Sequence, residues 1–132
     1  MNFKETYMNL EPVELKEVVL EKAVTKEGLA MSMKSGSLPV LATPQMIAWM
    51  EEAACACLDL PENLTSVGIR MDVSHDAPSP EGAMITVYAK IVGQKKSIIS
   101  YEVAAYMNET CIGKGEHVRA VVDIEKFMSK LA

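Results

Sequence analysis

No run of 18 apolar residues occurs anywhere in the 132-residue chain, and the N-terminal MNFKETYMNLEPVELKE holds no apolar stretch of signal length. The sequence therefore offers neither a membrane-spanning helix nor an export signal, and a cytoplasmic protein is expected. Basic residues are not concentrated: 13 Lys and Arg against 18 Asp and Glu leave a formal net charge of −5. That balance argues against a nucleic-acid partner, and it means that any anionic ligand must be held by local groups. Cysteine is scarce and odd in number. Cys55 and Cys57 share one predicted helix with side chains about 200° apart, Cys111 lies far along the chain, and there is neither a CxxC nor a His pair at metal-ligand spacing. A disulfide framework and a closed zinc site are excluded, no metal or cofactor is expected, and a reducing compartment suits the thiols. The seven glycines fit neither a phosphate loop nor a dinucleotide fingerprint. With no repeats, low-complexity tracts or linkers, residues 1–132 read as one domain. A polar leader over 1–16 is expected to be loosely ordered or to lie along the surface.

What the chain does contain is one segment with an unambiguous helical period, TPQMIAWMEEAACACL from Thr43 to Leu58. Thr43 can cap the first turn, and Pro44 sits where a missing N–H and a fixed φ do no harm. At about 100° per residue Met46, Ile47, Met50, Ala54 and Cys57 share one face. Glu51 lies at the edge of that face and Glu52 on the far side, so the two adjacent glutamates are not equivalent. The rest reads mainly as strand: Val18 to Thr25, then a short extended piece at Leu29 to Met33, a break at Ser35-Gly36-Ser37-Leu38-Pro39, and from Thr65 a period of two. In that strand Val67, Ile69, Met71, Val73 and His75 fall on one face, with Gly68, Arg70, Asp72 and Ser74 on the other. Ala83 to Ile91 and Ile99 to Ala105 supply two more inward rows joined by a hairpin at Gly93-Gln94-Lys95-Lys96. A last strand from Cys111 to Asp123 carries Gly113 and Gly115, which suggest a bulge or a close backbone approach, and Ile124 to Leu131 can add a short helix. The order is strand, helix, then four meander-like strands.

Read singly, the polar residues on these elements have ordinary explanations. Thr43 is an N-cap, Glu51 a helix-surface carboxylate at an apolar boundary, and His75 a hydrogen-bonded core histidine whose ordinary pKa also suits proton transfer near neutral pH. His117 has the opposite parity to Val118, Ala120 and Val122 and reads as a surface or interface residue. Lys95 and Lys96 read as a solvated hairpin tip. Ten methionines are core filling, or the lining of an adaptable acyl pocket.

Helix after the first strand followed by an antiparallel run resembles the hot-dog fold, an α+β architecture in which a sheet of about five strands wraps one long central helix. The segments LATPQMIAWMEEAA, TSVGIRMDVSHDAPSP and CIGKGEHVRAVVDIEKF carry the resemblance further, to the branch of hot-dog thioesterases that includes fluoroacetyl-CoA thioesterase. It spans roughly Val18 to Met128. The resemblance implies an acyl-CoA thioesterase with Thr43, Glu51 and His75 as the catalytic constellation and Gly68 as a backbone neighbour of the site. It also implies a thioester carbonyl at the helix N-terminus, where partial positive charge would stabilise a developing oxyanion. Ahead of the helix the pattern departs: fluoroacetyl enzymes carry lid phenylalanines, where this chain has Met33-Lys34-Ser35-Gly36-Ser37-Leu38 and no aromatic. A homodimer is expected, because one helix cannot cover both faces of such a sheet. Lys95, Lys96 and Arg119 are the candidates for holding coenzyme A phosphates at the rim. Two rival readings are a non-catalytic acyl-CoA binding module and an enoyl-thioester hydratase. The second is disfavoured because Asp72 and His75 fall on opposite strand faces.

Overall fold

The computed structural model describes residues 8–131. Strand β1 spans Glu17–Ala23, a helical turn α1 spans Ala30–Met33, and helix α2 spans Thr43–Ala56. Strands β2 (Leu64–His75), β3 (Met84–Lys95), β4 (Ile98–Met107) and β5 (Thr110–Asp123) follow, and a short helix α3 (Ile124–Ser129) ends the order. All strands belong to one antiparallel sheet, ordered β1-β3-β4-β5-β2. The meander expected after the helix holds only for β3, β4 and β5. Strand β2 does not pair with β3; it lies on the far side of β5, and the chain then crosses to place β3 between β1 and β4. That crossing is tied down where Leu41 N–H donates to the Ser79 carbonyl and where Val40 bridges Pro80.

Helix α2 is 14 residues long and buries Met46, Trp49, Met50, Ala53 and Ala54. Trp49 and Ala53 widen the apolar face beyond the expected stripe, because the helix contacts β1, β2, β3 and β4 rather than a single ridge. Opposite it, Ile85, Val87, Ala89 and Ile91 of β3 and Ile99, Tyr101, Val103 and Ala105 of β4 form the inward rows anticipated from their alternation. The extended piece expected at Leu29 to Met33 is corrected: Leu29 alone bridges Leu41, and the next four residues turn helically, ending at Lys34 with φ of 58°. The β3–β4 connection also shifts. Strand β3 runs on through Gly93 to Lys95, and the tight turn is Lys96-Ser97, with Lys96 at φ of 57°. Of the polar leader, residues 1–7 lie outside the described residues. Val13 N–H donates to Gln94 Oε1 at 2.7 Å and Ile91 N–H to the Lys16 carbonyl at 3.0 Å, so residues 8–16 run along the sheet.

Three bulges bend the sheet around the helix: Ile69 on β2, Val92 on β3 and Ile112 on β5 are each extra residues between paired neighbours. Gly113 and Gly115 serve close approach. A Cβ on Gly113 would come within 2.6 Å of Met46 Sδ, and one on Gly115 would overlap the Asp72 carbonyl oxygen and Val73. Gly115→Ala should therefore destabilise the fold by about 1–3 kcal/mol through forced separation of β2 and β5. Gly93→Ala, whose Cβ would meet nothing closer than Ser100 Cβ at 3.9 Å, should be tolerated. Urea unfolding of both variants checks the pair, and equal midpoints would contradict the packing described.

Candidate active site

The register of β2 against β5 decides which side chains face the helix. Gly68 pairs with Arg119, Met71 with His117, Val73 with Gly115 and His75 with Gly113, and these β5 partners are all of one parity. Cross-strand partners share a face, so Gly68, Met71, Val73 and His75 all look toward α2, the side on which Met46 lies over Gly113. Strict alternation had set Gly68 opposite His75. The bulge at Ile69 reverses the parity between them. The same register corrects His117, which is only 1% exposed and lies under the helix rather than at the surface. Its opposite parity to Val118 and Ala120 was real, but the apolar row it was compared with covers the other face of the sheet.

Thr43 begins α2 without capping it. The N-cap position is Ala42, no side chain accepts from the first turn, and Thr43 Oγ1 instead lies 2.7 Å from His75 Nδ1. Thr43 is exposed and His75 half-buried, and His75 Nε2 is enclosed with no hydrogen-bond partner among the described residues. Burial holds the His75 pKa below its ordinary 6.5, against the opposing pull of the Ala77 backbone and Asp76. Of the two ring nitrogens, Nδ1 alone has a hydrogen-bond partner among the described residues, the exposed Thr43 hydroxyl.

A second polar cluster surrounds Glu51. Arg119 Nη1 donates to Glu51 Oε2 at 3.2 Å and to His117 Nε2 at 3.1 Å. Arg119 Nε donates to Ser66 Oγ at 2.8 Å and Nη2 to the Ser66 carbonyl at 3.1 Å. His117 Nδ1 lies 2.8 Å from the Arg70 carbonyl, which can only accept, so Nδ1 carries the proton and Nε2 presents its lone pair to the guanidinium. Burial lowers the His117 pKa and the Arg119 charge lowers it further, although the Arg70 carbonyl works against both. Gly68 leaves room for the carboxylate, since a Cβ there would come within 2.6 Å of Glu51 Oε2. Glu52 behaves differently, pairing with Lys22 of β1 at 2.7 Å.

The structure therefore brings Thr43 to His75 and Glu51 to Gly68. It separates the two groups: eight residues of helix place Thr43 and Glu51 about 12 Å apart along its axis. Arg119 is not at a rim. At 6% exposed, with four of its N–H groups engaged, it is corrected from a phosphate candidate to a partner of Glu51. Ser66 and His117 were not singled out from sequence as site residues, and only the parity of β5 would have pointed to His117. Lys95 and Lys96 stand exposed at the β3–β4 turn, in the row next to Gly68 but three strands across, about 14 Å at the usual strand spacing. Among the described residues no group of His, Cys, Asp or Glu is arranged to hold a metal ion. A groove of about 810 Å³ lies on the opposite face of the sheet, among Tyr88, Lys90, Glu102, Tyr106 and Lys114, and shares none of these residues.

Residues 24–125 match the model of a family described as fluoroacetyl-CoA-specific thioesterase. The fluoroacetyl-CoA thioesterase of Streptantibioticus cattleyicolor is 34% identical over 94 residues, 70% of this chain and 68% of that protein. A crystal structure of a point mutant of a fluoroacetyl-CoA-specific thioesterase in complex with fluoroacetate and CoA superposes with a TM-score of 0.79 at 27% identity, covering 89% of this chain and 99% of that one. A thioesterase superfamily member from Thermus thermophilus gives 0.82 at 25% identity, over 92% and 95% of the two chains. A hot-dog-like protein from Thermanaerovibrio acidaminovorans, at 22% identity and a TM-score of 0.81, shares the fold.

The two imidazoles, His117 buried and His75 half-buried, make stability depend on pH with a definite sign. Each binds its proton less readily folded than unfolded, so their contribution is complete above about pH 6.5 and is lost as the pH falls through the lower folded values. Urea midpoints should hold between pH 8 and 7 and decline from pH 6.5 downward, with a shallower decline in His117→Gln. Midpoints that rise on acidification over that range would contradict the assignment.

Proposed function

The chain belongs to the fluoroacetyl-CoA-specific thioesterase family, and we propose that Glu51, Thr43 and His75 carry out its chemistry in a site completed by a second copy. It is a hydrolase that cleaves a small acyl-CoA to the free acid and coenzyme A. The observation that carries the reading is the carboxylate of Glu51, gripped by Arg119 through one oxygen while its side chain remains 43% exposed.

In the proposed mechanism the thioester carbonyl lies at the uncapped first turn of α2, where free N–H groups and the helix dipole favour the charge that develops on oxygen. Glu51 directs a water at the carbonyl carbon as general base, or attacks it to form a transient anhydride. Thr43 binds through its exposed hydroxyl and relays the His75 imidazole to the reacting oxygen, because Nε2 is enclosed and Nδ1 is already engaged.

A separation of about 12 Å along one helix is too great for Thr43 and Glu51 to act on the same carbonyl. Strand β2 supplies the remedy. It is a 12-residue sheet edge, unpaired on its outer side among the described residues, with partly buried residues along it. Such an edge favours pairing with another strand. Antiparallel pairing of two β2 strands runs the His75 end of one against the Ser66–Gly68 end of the other. Glu51 is then brought toward Thr43 and His75 of the partner subunit. Lys95 and Lys96 are the exposed cations proposed to meet the coenzyme's phosphates. A cytoplasmic setting is proposed from three unpaired cysteines, and no helix of the described residues is long and apolar enough to cross a membrane.

Light scattering should give about twice 14.4 kDa. Thiol release from acetyl-CoA should fall by about two to four orders of magnitude in Glu51→Gln. Glu52→Gln, which loses a half-exposed pair with Lys22, should stay within a factor of about two. A fully active Glu51→Gln protein, or a monomer at micromolar concentration, would overturn the shared-site reading.

A further inference from the structure

We propose that Arg119 is a positioning residue for the reaction, a guanidinium fixed in advance by Ser66 and His117 that holds one oxygen of Glu51 and leaves the other free to act. The inference rests on the role of Glu51 argued above and adds the device that aims it. Three features carry it. First, the guanidinium is immobilised from its own strand and the neighbouring one: Ser66 takes Nε and Nη2, and His117 takes Nη1, before Glu51 is counted. Only a planar fork can serve all of these acceptors at once; a lysine nitrogen is a single point with three donors.

Second, the tautomer of His117 is dictated. Its Nδ1–H is committed to the Arg70 carbonyl, so the ring meets Arg119 as an acceptor and has no proton to offer the carboxylate. The bulge at Ile69 sits between Gly68 and Arg70, so the irregularity that turns Gly68 toward Glu51 also presents the carbonyl that sets this tautomer. Third, exposure is graded across the pair: the Arg119 side chain is 7% exposed and that of Glu51 43%. Glu51 Oε2 is taken by Arg119, and Oε1 has no hydrogen-bond partner among the described residues. One oxygen is held by the guanidinium, and its twin is unbonded on a side chain that keeps much of its surface in solvent.

An ion pair kept only for stability predicts a different kinetic pattern. Acetyl-CoA hydrolysis by the full-length chain should lose about tenfold to a hundredfold in kcat in Arg119→Lys, with KM within about twofold, as expected when a reacting group is misplaced. In the Glu51→Gln background the same substitution should cost less than about twofold more, because groups that act as a unit are non-additive. Circular dichroism and melting curves accompany each variant. If Arg119→Lys does not fold, Ser66→Ala removes the Nε acceptor alone and should give a smaller kcat loss that likewise disappears in the Glu51→Gln background. Equal losses in both backgrounds, or no loss in either, would overturn the positioning role while leaving Glu51 in place. A rise of tenfold or more in KM with kcat unchanged would assign Arg119 to the coenzyme instead. Wild-type turnover in Glu51→Gln would overturn the Glu51 reading and the positioning role together.

Discussion

Two side chains of helix α2 reach down onto glycines of strands β5 and β2. Gly113 passes under Met46 and Gly68 under Glu51, and in each case a single added carbon would come within 2.6 Å of the helix side chain. The first contact seats the helix in the sheet and the second brings a carboxylate against a polar patch that would otherwise be closed by a side chain. Close approach of this kind suits a packed interior, which transmits displacement instead of absorbing it. The site therefore inherits its geometry from the same contact that builds the core.

Burying an arginine beside a carboxylate costs desolvation energy that the attraction between them need not recover. Here the cost is met by number and direction: Arg119 makes four hydrogen bonds, two of them to Ser66, and the carboxylate keeps part of its surface in water. His117 contributes as a neutral acceptor, stacked on Tyr101 at 5.8 Å between ring centroids. Thr43 and His75 form the opposite kind of pair. There a half-buried imidazole reaches the surface through an exposed hydroxyl at the start of a helix, where the backbone already favours negative charge. One cluster holds a charge still and the other waits to share a proton, and the length of α2 keeps them apart within one chain.

Much of this was legible in the residues. The helix from Thr43, the four long strands, the inward rows of β3 and β4 and the difference between Glu51 and Glu52 all follow from local periodicity, which is set by the backbone's own repeat and needs no knowledge of neighbours. The matches to one thioesterase family extend that reading to the activity. Less legible was anything that depends on register. Alternation placed Gly68 away from His75 because a bulge adds one residue without marking the composition, and Ile69 reads as an ordinary strand isoleucine. Parity against Val118, Ala120 and Val122 puts His117 at the surface, yet that row covers the outer side of the sheet, and Arg119, a rim candidate on its charge, is buried on the same face as His117.

The sequence by itself determined that an apolar helix from Thr43 and a set of alternating strands would form, and that Thr43, Glu51 and His75 would lie on them, because propensity and period act over a few neighbouring residues. Only the tertiary structure decided that β2 leaves β3 to pair with β5, that Thr43 turns to His75 instead of its own helix, and that Arg119 is gripped inside by Ser66 and His117. The Thr43–His75 and Arg119–Ser66 contacts join residues 32 and 53 apart in the chain. Such contacts exist only once the sheet has closed around the helix and water has been excluded from between them.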